Sequence, residues 1–312
     1  MKQFMKLLNI SLCVLLIGVF SSCIKDSKSC SVDSRHQLVL DFEHRDKNNL
    51  NVFSKVMHKV SLFVFDEYDE LIYRTAIDKA SLKSFAGASL HLDPGKYRVV
   101  CWGNAMEYTT FGGIEVGSNL INALVQNSAN QEKHAVNGDP LYYVSLDLDL
   151  TSLKLSSRAI IHKTISFCRA HTQLEVLIDG FEDQSEDGEN LPPLVEIRNL
   201  SSIYDFNMQS SGSHLTFSDL SSYSAVDEKW LARATFYTPM ISDDTSVEVL
   251  IKKQSDKSLI TTISLKDFIK EHNIQLNTCH QTAIPILVEY KSTDISISLP
   301  GWAGEPVDPE IN

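Results

Sequence analysis

The stretch VSLFVFDEYDELIYR, residues 60–74, gives the strongest indication of the fold. Residues 60–66 are apolar on both faces of an extended chain, which is typical of a strand buried at the centre of a sheet. The acidic residues 67–70 interrupt the apolar run, and residues 71–76 then read as a second strand. The stretch therefore predicts a β-hairpin whose first strand is covered on both sides.

A second strand signal follows in LDPGKYRVVCWGN, residues 92–104. A short strand over 89–92 runs into Asp93-Pro94-Gly95, and these residue types favour a tight turn. Residues 96–102 then form a strongly apolar strand that ends at Gly103. Residues 37–42 and 141–150 alternate between apolar and polar positions, which is typical of strands with one buried face.

A second group of strands is predicted to start near Ile160. It opens with residues 160–167 and 174–178, separated by a bulge around 170–172, where the apolar parity shifts. Further strands are predicted over residues 194–200, 232–238, 247–252, 259–264, 283–290 and 295–299. The sequence thus predicts an all-β protein with two β-sandwich domains in tandem, residues 37–157 and 158–312.

One or two short helices are expected within this β framework. Residues 265–272 show an amphipathic pattern preceded by Ser264 as a helix N-cap. Leu120, Ile121, Leu124 and Val125 would also share one helical face, with Ser118 as the cap.

The N-terminus carries the features of a secretory signal. Lys2 and Lys6 precede an apolar core over residues 7–20, and Ser21 and Ser22 precede Cys23. The core is shorter than the ~20 apolar residues that a membrane-spanning helix needs. Small residues directly before a cysteine resemble the lipobox of bacterial lipoproteins. That resemblance implies a lipoprotein signal peptide over 1–22, lipidation of Cys23 and a polar, lipidated tether over 23–36, whereas the alternative is an ordinary signal peptide.

The charge of the chain excludes some classes of partner. The 312 residues carry a net charge of −12, and removal of residues 1–22, which contain two lysines and no acid, leaves −14. Binding to nucleic acid needs clustered lysine and arginine, so nucleic acid is not expected as a partner. Electrostatic attachment to an anionic membrane surface is not expected either.

The state of the remaining cysteines stays open at this level. Cys30, Cys101, Cys168 and Cys279 could form two disulfides in three pairings. Cys101 and Cys168 lie within apolar strand patterns, where a buried free thiol is at least as well favoured.

No motif predicts catalysis, a cofactor or a metal. The nucleophile elbow, phosphate-binding loop, dinucleotide fingerprint, zinc-protease motif and EF-hand loop are absent from the sequence. Four weaker features each have a structural reading that is favoured. For Asp66, Glu67, Asp69 and Glu70, a solvated turn is favoured over a calcium site, and for Asp147 and Asp149 a solvent-exposed sheet face is favoured over a catalytic carboxylate pair. His162 and His171 are expected to have surface or capping roles. Trp102 and Trp302 are expected to pack against other residues rather than to stack on a sugar.

The order of these features resembles the FimB-like fimbrial anchor lipoproteins of Bacteroidales, a family that includes the minor-fimbria anchor of type V pili. The similar pieces are Cys23 followed by Cys30, residues 60–74, the L-x-P-G-x-Y…W-G-N signature in 92–104, residues 165–180 and the end of the chain over 301–312. Residues 60–104 are the most specific part of the resemblance.

The resemblance implies two transthyretin-like β-sandwich domains and a protein that is not an enzyme and needs no cofactor. It implies a lipid anchor in the outer membrane, exposure at the cell surface and a place at the base of a fimbria. Fimbrial subunits would be the partners, through addition of a strand to an open sheet edge, and the anchor would help limit filament length. The alternatives are a fimbrial tip or structural subunit, or a surface adhesin or glycan-binding lipoprotein. A removable N-terminal strand ending at Arg35 or Arg45 would favour a structural subunit.

Overall fold

The computed structural model of the protein describes residues 36–128, 134–135, 137–152, 160–185, 187–226, 229–241, 246–276, 279, 283–291 and 294–301. The first eleven strands are β1 (His36–Glu43), β2 (Lys59–Phe65), β3 (Leu71–Asp78), β4 (Gly87–Leu92), β5 (Lys96–Gly103), β6 (Thr109–Gly112), β7 (Leu124–Asn127), β8 (His134–Ala135), β9 (Tyr142–Asp149), β10 (Ile160–Ser166) and β11 (Cys168–Arg169). The other strands are β12 (Thr172–Asp179), β13 (Leu194–Asp205), β14 (Ser210–Leu220), β15 (Ser222–Val226), β16 (Lys229–Thr238), β17 (Glu248–Lys252), β18 (Leu259–Ser264), β19 (Ala283–Lys291) and β20 (Asp294–Ser298). The predicted all-β fold class is confirmed.

The strands form four sheets. Sheet I has the order β10-β1-β4, and sheet II has the order β11-β9-β5-β2-β3. Sheet III has the order β15-β16-β12-β19-β20, and sheet IV has the order β18-β17-β13-β14-β8, with β7 attached to β13 and β6 attached to β7. Sheets I and II enclose one hydrophobic core, and sheets III and IV enclose another.

Strand β2 is buried on both faces, as its sequence predicts. Leu62 and Val64 lie in the core between sheets I and II, whereas Phe63 and Phe65 lie in a third apolar cluster on the outer face of sheet II. That third cluster also contains Tyr204 and Phe206 from the C-terminal half. The second apolar face of the strand is therefore explained by contact with the other half of the chain.

The predicted start of a second group of strands at Ile160 is wrong. Strand β10 pairs in parallel with β1, and β11 pairs with β9, so both belong to the N-terminal sheets. The change of sheet lies between β11 and β12, at the position where a bulge was expected. The predicted boundary between 157 and 158 does not match this change of partners, because alternation shows which residues are buried but not which strand lies beside them. The division into two domains stays a prediction.

The N-terminal half also contributes strands to a C-terminal sheet. Strand β7 pairs with the end of β13, and β8 pairs with β14. The two halves are consequently joined by backbone hydrogen bonding as well as by the third apolar cluster.

The short helices only partly follow the predictions. Helix α1 spans Phe53–Val56, α2 spans Lys79–Ser84, and α3 spans Leu265–Glu271, where Ser264 Oγ accepts a hydrogen bond from Asp267 N as predicted. The helical interpretation of 120–125 is wrong. Leu120–Asn122 is a single 3-10 turn capped by Asn119, and the following residues form β7, because pairing with β6 and β13 outweighs the local pattern. Within the described ranges, the helices are all too short to cross a membrane.

Candidate functional site

The predicted lipid-bearing segment leads into the middle of a sheet. Cys23, Cys30, Arg35 and Trp302 lie outside the described residues. The first described strand, β1, runs between β10 and β4 and buries Leu38, Leu40 and Phe42. Because β1 has a neighbour on each side, a pull on the preceding residues is resisted by two rows of backbone hydrogen bonds.

Two of the cysteines form a disulfide. Cys168 in β11 is bonded to Cys279, which precedes β19, so the bond links sheet II to the chain that enters sheet III. Cys101 is a buried free thiol, and burial raises its pKa. Of the alternatives that the sequence left open, the structure thus gives one disulfide and one buried thiol among the described cysteines.

The packing interpretation of Trp102 is confirmed. Its side chain is fully buried in the third apolar cluster, with its ring stacked 6.2 Å from that of Tyr204 and 4.9 Å from the ring of Tyr143. A sugar cannot reach it in this structure.

The acidic residues that were candidates for calcium binding form a turn. Asp66 Oδ1 accepts hydrogen bonds from Tyr68 N at 2.9 Å and from Glu70 N at 3.0 Å, so its carboxylate holds the backbone of the turn. Across the part of the chain that the structure describes, no group of three or more His, Cys, Asp or Glu is placed to hold a metal ion.

The two aspartates of β9 lie on the outer face of sheet II, at a solvent-exposed end of the strand beyond the third apolar cluster. Asp147 pairs with Arg98 at 2.9 Å, and Asp149 accepts hydrogen bonds from the side chain and backbone of Thr151, which lower its pKa. Their alternation with buried residues of the same strand supports the structural reading.

The surface or capping prediction is correct for His162 and wrong for His171. His162 is exposed, 3.7 Å from Asp41. His171 lies buried where the chain crosses between sheets II and III, and its Nδ1 lies 2.7 Å from the Leu141 carbonyl oxygen. Burial, together with the charge of Arg169, lowers the pKa of His171 to about 3.

An open edge of the N-terminal sandwich is the surface that the sequence did not identify. Strands β3 and β4 are the neighbouring edges of sheets II and I, and they flank a groove of about 360 Å³. The groove is lined by Ile72, Tyr73, Ser89, Leu90, His91, Leu92, Asp93 and Tyr97.

Tyr73 is the side chain that marks this edge. It lies opposite Val64 in the pairing of β2 with β3, and Val64 belongs to the core between sheets I and II. Opposite residues share a face, so Tyr73 points into the sandwich. Its side chain is nevertheless 43% exposed, because sheet I ends at β4 and does not cover it. The sequence signal was the exposed pair Ser89 and His91, which alternates with buried Ala88, Leu90 and Leu92.

Several solved structures of other proteins share this architecture. A proposed polysaccharide-binding protein of Bacteroides thetaiotaomicron is 15% identical, with a TM-score of 0.67 over 86% of this chain and 96% of that one. A proposed adhesin of Bacteroides ovatus is 16% identical, with a TM-score of 0.65 over 86% and 94%. The fimbrial anchor protein Mfa2 of Porphyromonas gingivalis is 15% identical, with a TM-score of 0.64 over 85% and 97%. At these identities the likeness establishes the fold.

The family is established by the sequence profile rather than by the fold. No curated protein sequence matches the chain at a significant level. The profile of the fimbrillin-A associated anchor proteins Mfa1 and Mfa2, by contrast, matches residues 27–304, which is most of the chain. The chain therefore belongs to the family of fimbrillin-A associated anchor proteins.

Proposed function

We propose that this protein is an outer-membrane lipoprotein that holds the base of a fimbria at the cell surface and helps to limit filament length. In this proposal residues 1–22 are a signal peptide, Cys23 carries the lipid, and the residues before β1 are the tether. Membership of the anchor family supports a structural role with fimbrial subunits as partners, and no enzymatic activity is proposed.

The observation that carries the proposal is the position of β1. The residues next to the proposed lipid lead directly into a strand that lies between two neighbours and buries three large apolar side chains. A load applied at the lipid would act along β1, so all of its hydrogen bonds to β4 and β10 would have to break together. Several acyl chains on one cysteine would supply the durable membrane attachment, because a single chain binds only marginally.

The test replaces Cys23 by alanine in the native bacterium. Filaments on cells and in the medium are counted and measured by electron microscopy. The proposal predicts filaments that are shed or abnormally long, whereas attached filaments of normal length would refute it. A variant with Ser22→Ala, which keeps a small residue before Cys23, is the matched control and should retain attached filaments.

A polymerising structural subunit is the second candidate, favoured by the residues that follow β1. Arg45 comes two residues after the end of β1, and its side chain is 42% exposed. Cleavage there would separate β1 from the rest of the chain and open a slot between β4 and β10. Mass spectrometry of the mature protein distinguishes the roles, because an anchor should retain β1 joined to Cys23 and a subunit should begin after Arg45.

A glycan-binding role has support from one exposed aromatic residue. Trp230 in β16 is 69% exposed and was not singled out in the sequence. The similar structures include proteins described as proposed adhesins or polysaccharide-binding proteins. Loss of binding on a polysaccharide array in Trp230→Ala, with Tyr68→Ala as the exposed aromatic control, would favour this role.

A further inference from the structure

We propose that the free edge of β4 binds an extended segment of the fimbrial subunit, with alternate apolar side chains facing Tyr73 and a basic residue lying beside Asp93. This inference deepens the proposed anchor function and rests on it. It identifies the edge and the chemistry of the segment that fits there.

The unequal widths of the two facing sheets provide the first argument. Among the residues that the structure describes, sheet II has five strands and sheet I has three. On the side of β4, two residues of β3 are therefore left uncovered: Ile72 is 41% exposed and Tyr73 is 43% exposed. Tyr73 is exposed although it lies on the inner face of its sheet. One added strand next to β4 would widen sheet I and cover both side chains.

The backbone of β4 presents hydrogen-bonding groups at this edge. Phe42 N donates to the Ala86 carbonyl at 2.8 Å, so position 86 bonds toward β1. Backbone groups alternate in direction along an antiparallel strand, and the register pairs Ala88, Leu90 and Leu92 with β1 in the same way. Ser89 and His91 therefore direct their N–H and C=O groups away from β1, toward the groove.

The two edges that flank the groove differ in how well they are protected. In natural proteins, edge strands are protected from pairing with other chains by bulges, charged residues, proline or covering loops. The β3 edge has a register shift beside Ile72, and Leu71 exchanges backbone hydrogen bonds with Gly117 and Ser118. Strand β4 pairs with β1 without a register shift and contains no proline, lysine, arginine or acid. Among the described residues, β1 is its only strand partner.

The lining of the groove defines the segment that fits it. Its lining includes Ile72, Tyr73, Leu90, Leu92 and Tyr97, so alternate residues of the segment should be apolar. Five residues of the chain around β4, Ser89 to Asp93, line the groove, and the segment should be of similar length. Addition of a strand obtains affinity from main-chain hydrogen bonds and specificity from such side-chain pockets.

Negative charge at one end of the groove selects a basic residue. Asp93 lines the groove next to Tyr97, whose hydroxyl donates to the Asp93 carbonyl at 2.9 Å. Asp66 and Glu67 line the neighbouring pocket together with Tyr97. Burial raises the pKa of Tyr97, and the charges of Asp93, Asp66 and Glu67 raise it further. A lysine or arginine in the segment would be attracted there.

The main test uses His91→Pro in the otherwise complete mature protein, with His91→Ala as the matched control. Proline removes the outward N–H but leaves the bonding to β1 intact, since proline is tolerated on an edge where the N–H faces solvent. The probe is monomeric fimbrial subunit dissociated from filaments sheared off native cells. We expect His91→Pro to weaken binding about tenfold or more and His91→Ala to change it less than about threefold.

Hydrogen exchange of the free and bound protein provides the second measurement. The amides of Ser89 and His91 should exchange rapidly in the free chain and become protected when the subunit binds. Slow exchange in the free chain would mean that another segment of the same chain already covers β4, and this would overturn the inference. Unchanged binding by His91→Pro would overturn it as well, and so would exchange of these amides that does not slow when the subunit binds.

The charge of the segment is tested with Asp93→Lys. Association should slow by roughly threefold or more at low salt, and the difference should vanish at high salt. Asp187→Lys, an exposed position in the loop before β13, makes the same charge change away from the groove and should bind as the wild type does. Equal effects of the two variants would refute a basic residue beside Asp93.

Failure of the edge assignment and failure of the anchor function give different results. If the wild type binds the subunit and His91→Pro binds equally well, the edge assignment fails and the anchor function stands. If filaments stay attached at normal length in Cys23→Ala cells, the anchor function fails whatever the edge variants show.

Discussion

Cys168 and Cys279 form a disulfide that joins the end strand of sheet II to the segment leading into sheet III, across 111 positions of sequence. A cross-link that closes so long a loop removes much of the entropy of the unfolded chain, with an expected contribution of about 3–5 kcal/mol. We predict that Cys168→Ala/Cys279→Ala lowers the free energy of unfolding by about this amount in denaturant titrations. A reducing agent should lower the stability of the wild type and leave the double variant unchanged. Equal sensitivity of both proteins to reduction would contradict the prediction.

The buried His171 predicts a dependence of stability on pH. Its folded pKa of about 3 lies below the unfolded value of ~6.5, so between these values the unfolded state binds a proton that the folded state does not. Stability from this group is complete above pH 6.5 and falls toward pH 3, by up to about 1.4 kcal/mol per pH unit. The slope of the unfolding free energy against pH, measured between pH 6 and 4, should become shallower in His171→Asn. It should stay unchanged in His162→Gln, which alters an exposed histidine. An unaltered slope in His171→Asn would argue against this assignment.

Replacement of Phe206 tests whether packing between the N-terminal and C-terminal halves stabilises the protein. The Phe206 ring lies 5.0 Å from that of Phe63, and it is buried in the apolar cluster on the outer face of sheet II. Phe206→Ala should cost about 3–5 kcal/mol of unfolding free energy, because it leaves a cavity between the halves. Phe85→Ala makes the same change at a side chain that is 43% exposed and should cost about 1 kcal/mol or less. A loss of unfolding free energy in Phe206→Ala as small as that in Phe85→Ala would show that the third apolar cluster contributes little to stability.

The anchoring role of β1 predicts a sensitive position at Leu40. This side chain is fully buried between the N-terminal sheets, so Leu40→Ala should cost about 2–5 kcal/mol. Amides of β1 should then exchange faster with solvent, since the strand is held less firmly. Leu259→Ala, at a side chain that is 56% exposed, should change stability by about 0.5 kcal/mol or less. Unchanged exchange of β1 in Leu40→Ala would count against retention of the strand by its apolar contacts.

Local patterns predicted the strands that have a regular apolar face. The alternation in residues 37–42 and the doubly apolar run at 60–66 correspond to β1 and β2. The apolar pattern does not identify β14, Ser210–Leu220, because serines occupy many of its positions. This segment is a strand because it pairs with β13, not because of its composition. The apolar pattern also misassigns β7, because its apolar residues are spaced as on a helical face and only the pairing with β13 shows that the segment is a strand.

The candidate site depends on relations that a single sequence does not contain. The alternation of β4 shows that Ser89 and His91 are exposed, and this much was visible in the sequence. That the strand is an edge follows from the sheet order, and that Tyr73 lacks a cover follows from the unequal numbers of strands in sheets I and II. Likewise, the parallel pairing of β1 with β10 joins residues about 120 positions apart and sets the neighbour that holds the proposed tether.

The position of the protein on the filament tests the anchor proposal most directly. Immunogold electron microscopy of intact cells, with antibody against the C-terminal half, would locate the chain on each fimbria. The account predicts gold particles at the end of the filament that meets the cell. Labelling along the shaft would identify a structural subunit, and labelling at the free tip would identify a tip adhesin. Either of these two results would contradict the proposal.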